Sequence, residues 1–76
     1  MSDMPLIKKG IYRHYKNKQL YEVLDIALQT ETNELLVVYR PLYKSEYKLF
    51  ARPYDMFMST VEVGGQSVPR FEKVDS

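Results

Sequence analysis

The sequence contains no cysteine, no tryptophan and a single histidine among 76 residues. Without thiols there is no disulfide to staple the fold, no thiolate zinc site and no cysteine nucleophile. One histidine with scattered carboxylates, in no His-x-His or paired-acid spacing, cannot assemble a ligand set within the chain, so neither a metal nor a cofactor is expected. No window approaches the apolar length of a membrane span, and the opening Met1-Ser2-Asp3-Met4-Pro5 carries no apolar signal segment. A cytoplasmic protein with no membrane partner is the expectation. Net charge is only +1, too small for a strong general nucleic-acid field.

What is present is apolar and tyrosine-rich: 45% hydrophobic residues and seven tyrosines. A chain of this length makes one domain and hides only about 60% of its unfolded surface, so the apolar residues must hold the fold unaided. The charge is unevenly placed. Between Met4 and Tyr21 stand five lysines or arginines with His14 and no acid, which suits either a solvated strand edge or an anion-facing surface.

The run Glu34 to Tyr43 is apolar on both faces and rich in β-branched and aromatic residues, which predicts a central buried strand. Residues 1–9 read as a flexible leader and 10–74 as the single domain. In Ile11 to Tyr15 a short strand sets Ile11, Arg13 and Tyr15 against Tyr12 and His14, and Asn17 suits positive φ in the polar turn that follows. Leu20 to Leu28 reads as a longer strand, with Leu20, Leu24, Ile26 and Leu28 on one face and Tyr21, Val23 and Ala27 on the other. It forms a hairpin with the central strand across Gln29 to Asn33. Lys44 to Glu46 then turns the chain and Tyr47 to Arg52 runs back as a strand that Pro53 ends. A helical or 3₁₀ turn is predicted near residues 53–58, with Pro53 at its first position. Thr60 to Val63, a Gly64-Gly65 turn and Gln66 to Phe71 complete a hairpin whose proline, Pro69, marks an edge strand. The fold class is therefore all-β, a small, strongly bent barrel of five to six strands of the SH3-like type, with an OB-like barrel as the alternative.

Taken together, Gly10-x-Tyr12-x-His14-Tyr15-Lys16, Tyr21-x-Val23, Glu31-Thr32, Val38-Tyr39-x-x-Leu42-Tyr43, Arg52-Pro53-x-x-Met56-Phe57 and Pro69-Arg70-Phe71 resemble the bacterial DUF1653 family of small domains. The words cover about residues 7 to 74 in fixed order. The resemblance implies an SH3-like architecture and supplies no activity, ligand or catalytic residue. It also implies a tryptophan near Leu49-Phe50, where Phe50 stands here.

His14 as a general base would need a nucleophile and an orienting carboxylate, for which Glu31 or Asp25 are the candidates. The simpler reading is a histidine packed at a strand edge. Arg40 and Arg52 each end an apolar strand and precede a proline, which steadies a planar fork for a carboxylate or phosphate, or for an internal pair with Glu22, Glu31 or Asp55. Arg70 also lies beside a proline. Tyr12, Tyr15, Tyr43 and Tyr47 fall near strand ends, where aromatics on a basic β-surface stack bases or hold peptides, although strands favour tyrosine in any case. The ligand surface is expected to combine His14, Tyr15, Arg40 and Tyr43, with Glu31 and Arg52 at its margin. Its expected use is non-enzymatic binding of single-stranded nucleic acid or a nucleotide-like anion. A protein-interaction module using a sheet edge or Met56-Phe57-Met58 is the alternative, and a small hydrolase or transferase using His14 has the least support, for want of a nucleophile.

Overall fold

A computed structural model describes residues 7–74. Among these the elements run β1 (Gly10–His14), β2 (Leu20–Gln29), β3 (Glu34–Pro41), β4 (Phe50–Pro53), α1 (Tyr54–Phe57), β5 (Thr60–Val63), β6 (Gln66–Pro69) and β7 (Phe71–Lys73). Five strands form one antiparallel sheet in the order β4-β3-β2-β1-β7, and β5 pairs with β6 in a two-stranded sheet. The chain thus forms the expected small, strongly curled all-β barrel-like fold. The doubly apolar β3 lies between β2 and β4; Val37 and Tyr39 are buried on its inner face, whereas Leu36 and Val38 on the other face are only partly covered, which corrects the expectation of burial on both faces.

Alternation along each strand sends one residue in two inward. Tyr12, Tyr21, Val23, Val37 and Tyr39 are buried this way, and Phe57 from α1 and Phe71 from β7 join them. Five of these seven core residues are aromatic. The phenylalanine rings stack at 4.1 Å with their planes 7° apart, while Tyr12 and Tyr39 meet Phe57 edge-on at 5.5 and 5.3 Å. Buried phenols need partners, and each finds one. Tyr12 donates to the Lys8 carbonyl at 2.7 Å, Tyr21 Oη accepts from Asn17 Nδ2 at 3.2 Å, and Tyr39 Oη accepts from Arg52 Nε at 3.3 Å. Ile7 packs against this core beside Phe50 and Tyr54. Most of the leader expected over residues 1–9 lies outside the described residues.

Four further local expectations are corrected. Among the described non-glycine residues positive φ falls on Lys18 and Asn33, not Asn17. In the first turn Asn17 instead accepts the Gln19 amide on Oδ1 at 2.8 Å, which passes the left-handed position to its neighbour. The alternation of β2 breaks at a bulge between Val23 and Asp25, where Leu24 is unmatched and Ile26 comes opposite the buried Val37. Ile26 therefore shares the face of Tyr21 and Val23, not that of Leu20, and the extra residue bends the strand as a curled sheet requires. The strand expected from Tyr47 shortens to Phe50–Pro53, with Ser45 Oγ accepting the Tyr47 amide in a local turn and Pro53 standing at the helix cap with ψ 138. The last expected strand divides at Arg70: β6 stays with β5, and β7 crosses to pair with β1.

Candidate functional site

The turn after β1 is tied on four sides. His14 donates its amide to the Gln19 carbonyl and accepts from the Lys18 amide, both at 3.0 Å; Tyr15 donates to the Arg70 carbonyl at 2.9 Å; and the Lys16 amide donates to His14 Nδ1 at 3.1 Å. With Nδ1 accepting, the neutral ring carries its proton on Nε2. His14 lies two residues beyond buried Tyr12 and so on the inner side of the strand, its ring edge-on to Phe71 at 4.8 Å and 5.0 Å from Tyr15.

Arg52 reaches the same place from β4. It sits in register with Val37, so its side chain turns inward, and its guanidinium carbon lies 5.4 Å from the centre of the Phe71 ring. Arg70 comes from the break between β6 and β7, where its amide donates to the Ser59 carbonyl at 2.9 Å and its Nε to Ser59 Oγ at 3.0 Å. Ser59 Oγ in turn donates to the Met56 carbonyl at 2.6 Å. Among the described residues the ion pairs join Lys9 to Asp25 and Arg40 to Glu22, so neither Arg52 nor Arg70 is neutralised by a carboxylate. Burial first, and then the positive charges of Arg52, Arg70 and Lys16, hold the His14 imidazole below its ordinary value. The cleft over this group is open, about 610 Å³, and lined by His14, Asn17, Tyr21, Phe50, Arg52 and Phe71 among others.

The residues singled out in the sequence are brought together only in part. His14 and Arg52 share the cleft just described, and His14 and Tyr15 share a second, of about 440 Å³, with Lys16 and Lys18. Arg40 is on the outer face, because its neighbour Tyr39 is buried and successive side chains alternate. There its Nε and Nη2 both donate to Glu22 Oε1 at 2.6 Å, so of the pairings open to it the chain uses Glu22. Tyr43 lines a third cleft with Arg40 and is bound to Tyr21 through the two hydroxyls at 3.1 Å. That hydrogen bond, more than burial, pushes the Tyr43 hydroxyl up to about 12, so it is a phenol at neutral pH. Glu31 sits in the β2–β3 turn, where its amide reaches Gln29 Oε1 at 3.3 Å. The ten-residue β2 separates it from the His14 turn, up to roughly 30 Å at the usual rise per residue. Glu31 therefore cannot orient His14. Asp25 cannot either, being engaged with Lys9 and its own Ile26 amide.

What the sequence reading missed is Phe71 as the floor and Asn17 and Tyr21 as the wall. The word Pro69-Arg70-Phe71 was the available signal, but it stood in a strand assigned to the wrong neighbour. Among the described residues no cluster of three or more metal-ligating side chains occurs, and no helix is long and apolar enough to cross a membrane.

Residues 10–73 match the family described as Protein of unknown function (DUF1653). A crystal structure of a DUF1653 protein from Bordetella bronchiseptica is similar at 36% identity and a TM-score of 0.81, covering 90% of this chain and 87% of that one. No curated protein matches the sequence. With every strand from β1 to β7 inside the matched residues, the chain belongs to the DUF1653 family.

Proposed function

We propose that the protein is a non-enzymatic binding module that takes a nucleotide-like anion into the cleft between His14 and Arg52. The observation that carries this reading is the Arg52 guanidinium, which lines the cleft with His14, lies 5.4 Å from the centre of the Phe71 ring and is unmatched by a carboxylate among the described residues, with the charge of Arg70 also bearing on His14. Grouping like charges is unfavourable, and an anion relieves it. The guanidinium of Arg52 has a planar fork suited to a phosphate, and the neutral imidazole offers one Nε2–H donor. The part-exposed ring of Phe50, with Met56 at the edge of the cleft, offers an apolar surface to a base.

A bound phosphate favours the imidazolium, so the complex takes up protons more readily than the free protein. Adenosine monophosphate itself takes up a proton at about pH 6, so the His14 contribution is read against His14→Gln: the affinity of the intact protein relative to that variant is expected to rise as pH falls from 7 to 5.5. Arg52→Lys keeps the charge but loses the fork, and is expected to weaken binding about tenfold. Amide NMR titration reads both effects; no shift in residues 12–19 or 50–52 at millimolar nucleotide would reject the reading. A protein-interaction role draws support from Met56 and Met58, 51% and 48% exposed; it predicts binding that is insensitive to salt.

A further inference from the structure

We infer that the ligand of this face is a single-stranded nucleic acid threaded through two adjoining clefts, with His14 at their junction, and not a free nucleotide. The inference rests on the anion-binding reading above and extends it. His14 lines both the 610 Å³ cleft that holds Arg52 and the 440 Å³ cleft on the far side of the β1 turn. Each lies within the range of a small-ligand pocket, about 300–1,000 Å³, so two such compartments meeting at one side chain fit consecutive units of one polymer.

The second cleft has two unlike walls. One carries Lys16 and Lys18 beside the Tyr15 ring; the other is apolar, made by Val63, Val68 and Pro69 of the β5–β6 hairpin. Its one acid, Glu72, sits in register opposite Arg13 without an ion pair between them, so the cleft carries three cations, Arg13, Lys16 and Lys18, against a single carboxylate. Lys16 and Lys18 make no ion pair among the described residues and are left for the ligand. Their backbone is also held. The Lys18 amide is bound to the His14 carbonyl, the Lys16 amide to His14 Nδ1 and the Gln19 amide to Asn17, so the lysines are presented from a pinned turn at the seam between the clefts. A sugar–phosphate chain leaving a nucleotide at Arg52 meets His14 and then these lysines. The flat tyrosine and apolar wall accept a second base without reading its edges, which predicts little sequence preference.

The test compares adenosine monophosphate with pentaadenylate, by amide NMR and calorimetry at several salt concentrations, in the intact chain and in a Lys16→Gln, Lys18→Gln variant. Pentaadenylate is expected to bind at least tenfold more tightly than the monophosphate. In the variant that advantage disappears, the log–log salt slope for pentaadenylate falls by about 1.4, at roughly 0.7 per phosphate contact on a single strand, and affinity for the monophosphate, which loses only the distant charge of Lys16 on His14, falls far less than affinity for pentaadenylate. Pentaadenylate binding no tighter than the monophosphate overturns the inference while leaving the cleft reading standing. An unchanged slope in the variant does the same. A glutamate-rich pentapeptide that binds through Lys16 and Lys18 where pentaadenylate does not would also overturn it. If neither nucleotide probe shifts a resonance, both readings fall.

Discussion

Phe71 meets the rings of His14, Tyr21, Tyr39 and Phe57 and the guanidinium of Arg52. One residue is thus both core and cleft floor, and the side chains proposed to hold an anion are placed by the same packing that stabilises the fold. Arg40 makes the contrast. Its ion pair with Glu22 is on the outer face, with side chains 50% and 32% exposed, where solvent screening leaves such a pair about 0–1 kcal/mol. Arg40→Ala is accordingly expected to lower stability by less than about 1 kcal/mol in urea unfolding, with the loss shrinking in salt, and to leave nucleotide titration unaltered. From the sequence Arg40 and Arg52 look alike, each an arginine before a proline at a strand end. Only register tells them apart: Arg40 follows buried Tyr39 and faces out, whereas Arg52 stands opposite buried Val37 and faces in.

At the scale of elements, the turn after β1 and the bulge in β2 shape the face. Lys18 holds φ at 61 with no glycine to make that easy, a conformation that costs an L-residue roughly 1–2 kcal/mol. Lys18→Gly is expected to raise stability by up to about 1 kcal/mol, net of the added freedom of the unfolded chain, as read from the denaturation midpoint at constant slope. The existence of β1 to β6 was legible, because apolar alternation and turn residues are local signals; β7 was not, its first residue standing at the end of an expected strand. Nor was the bulge at Leu24. A strand with one extra residue has no signature in its own sequence, since the mismatch exists only against the partner strand.

For the whole molecule, the order β4-β3-β2-β1-β7 sets the last strand beside the first. Tyr12 lies opposite Lys73, and His14 opposite Phe71. The sheet is therefore incomplete until nearly the entire described chain has assembled, and folding is expected to be slow for so small a protein, in the millisecond-to-second range. A chain ending at Arg70 loses Phe71 from the core, and removing a buried phenylalanine costs about 3–5 kcal/mol, a large part of the margin for 76 residues. Its amide NMR spectrum is expected to collapse to the narrow dispersion of an unfolded chain; retained dispersion would mean that β7 is dispensable.

Composition and alternation by themselves determined an all-β class, most of the turns, the short helical segment, the absence of thiol chemistry and the place of β3 as an interior strand of the sheet. They also marked His14 and Arg52 as residues to watch. Tertiary structure alone decided that these two meet while Arg40, Tyr43 and Glu31 stand elsewhere, and that Phe71 completes the cleft. The physical reason is the period of two: a strand's sequence says which residues share a face, but which face turns inward, and which strands are neighbours, depends on pairing between segments far apart in the chain.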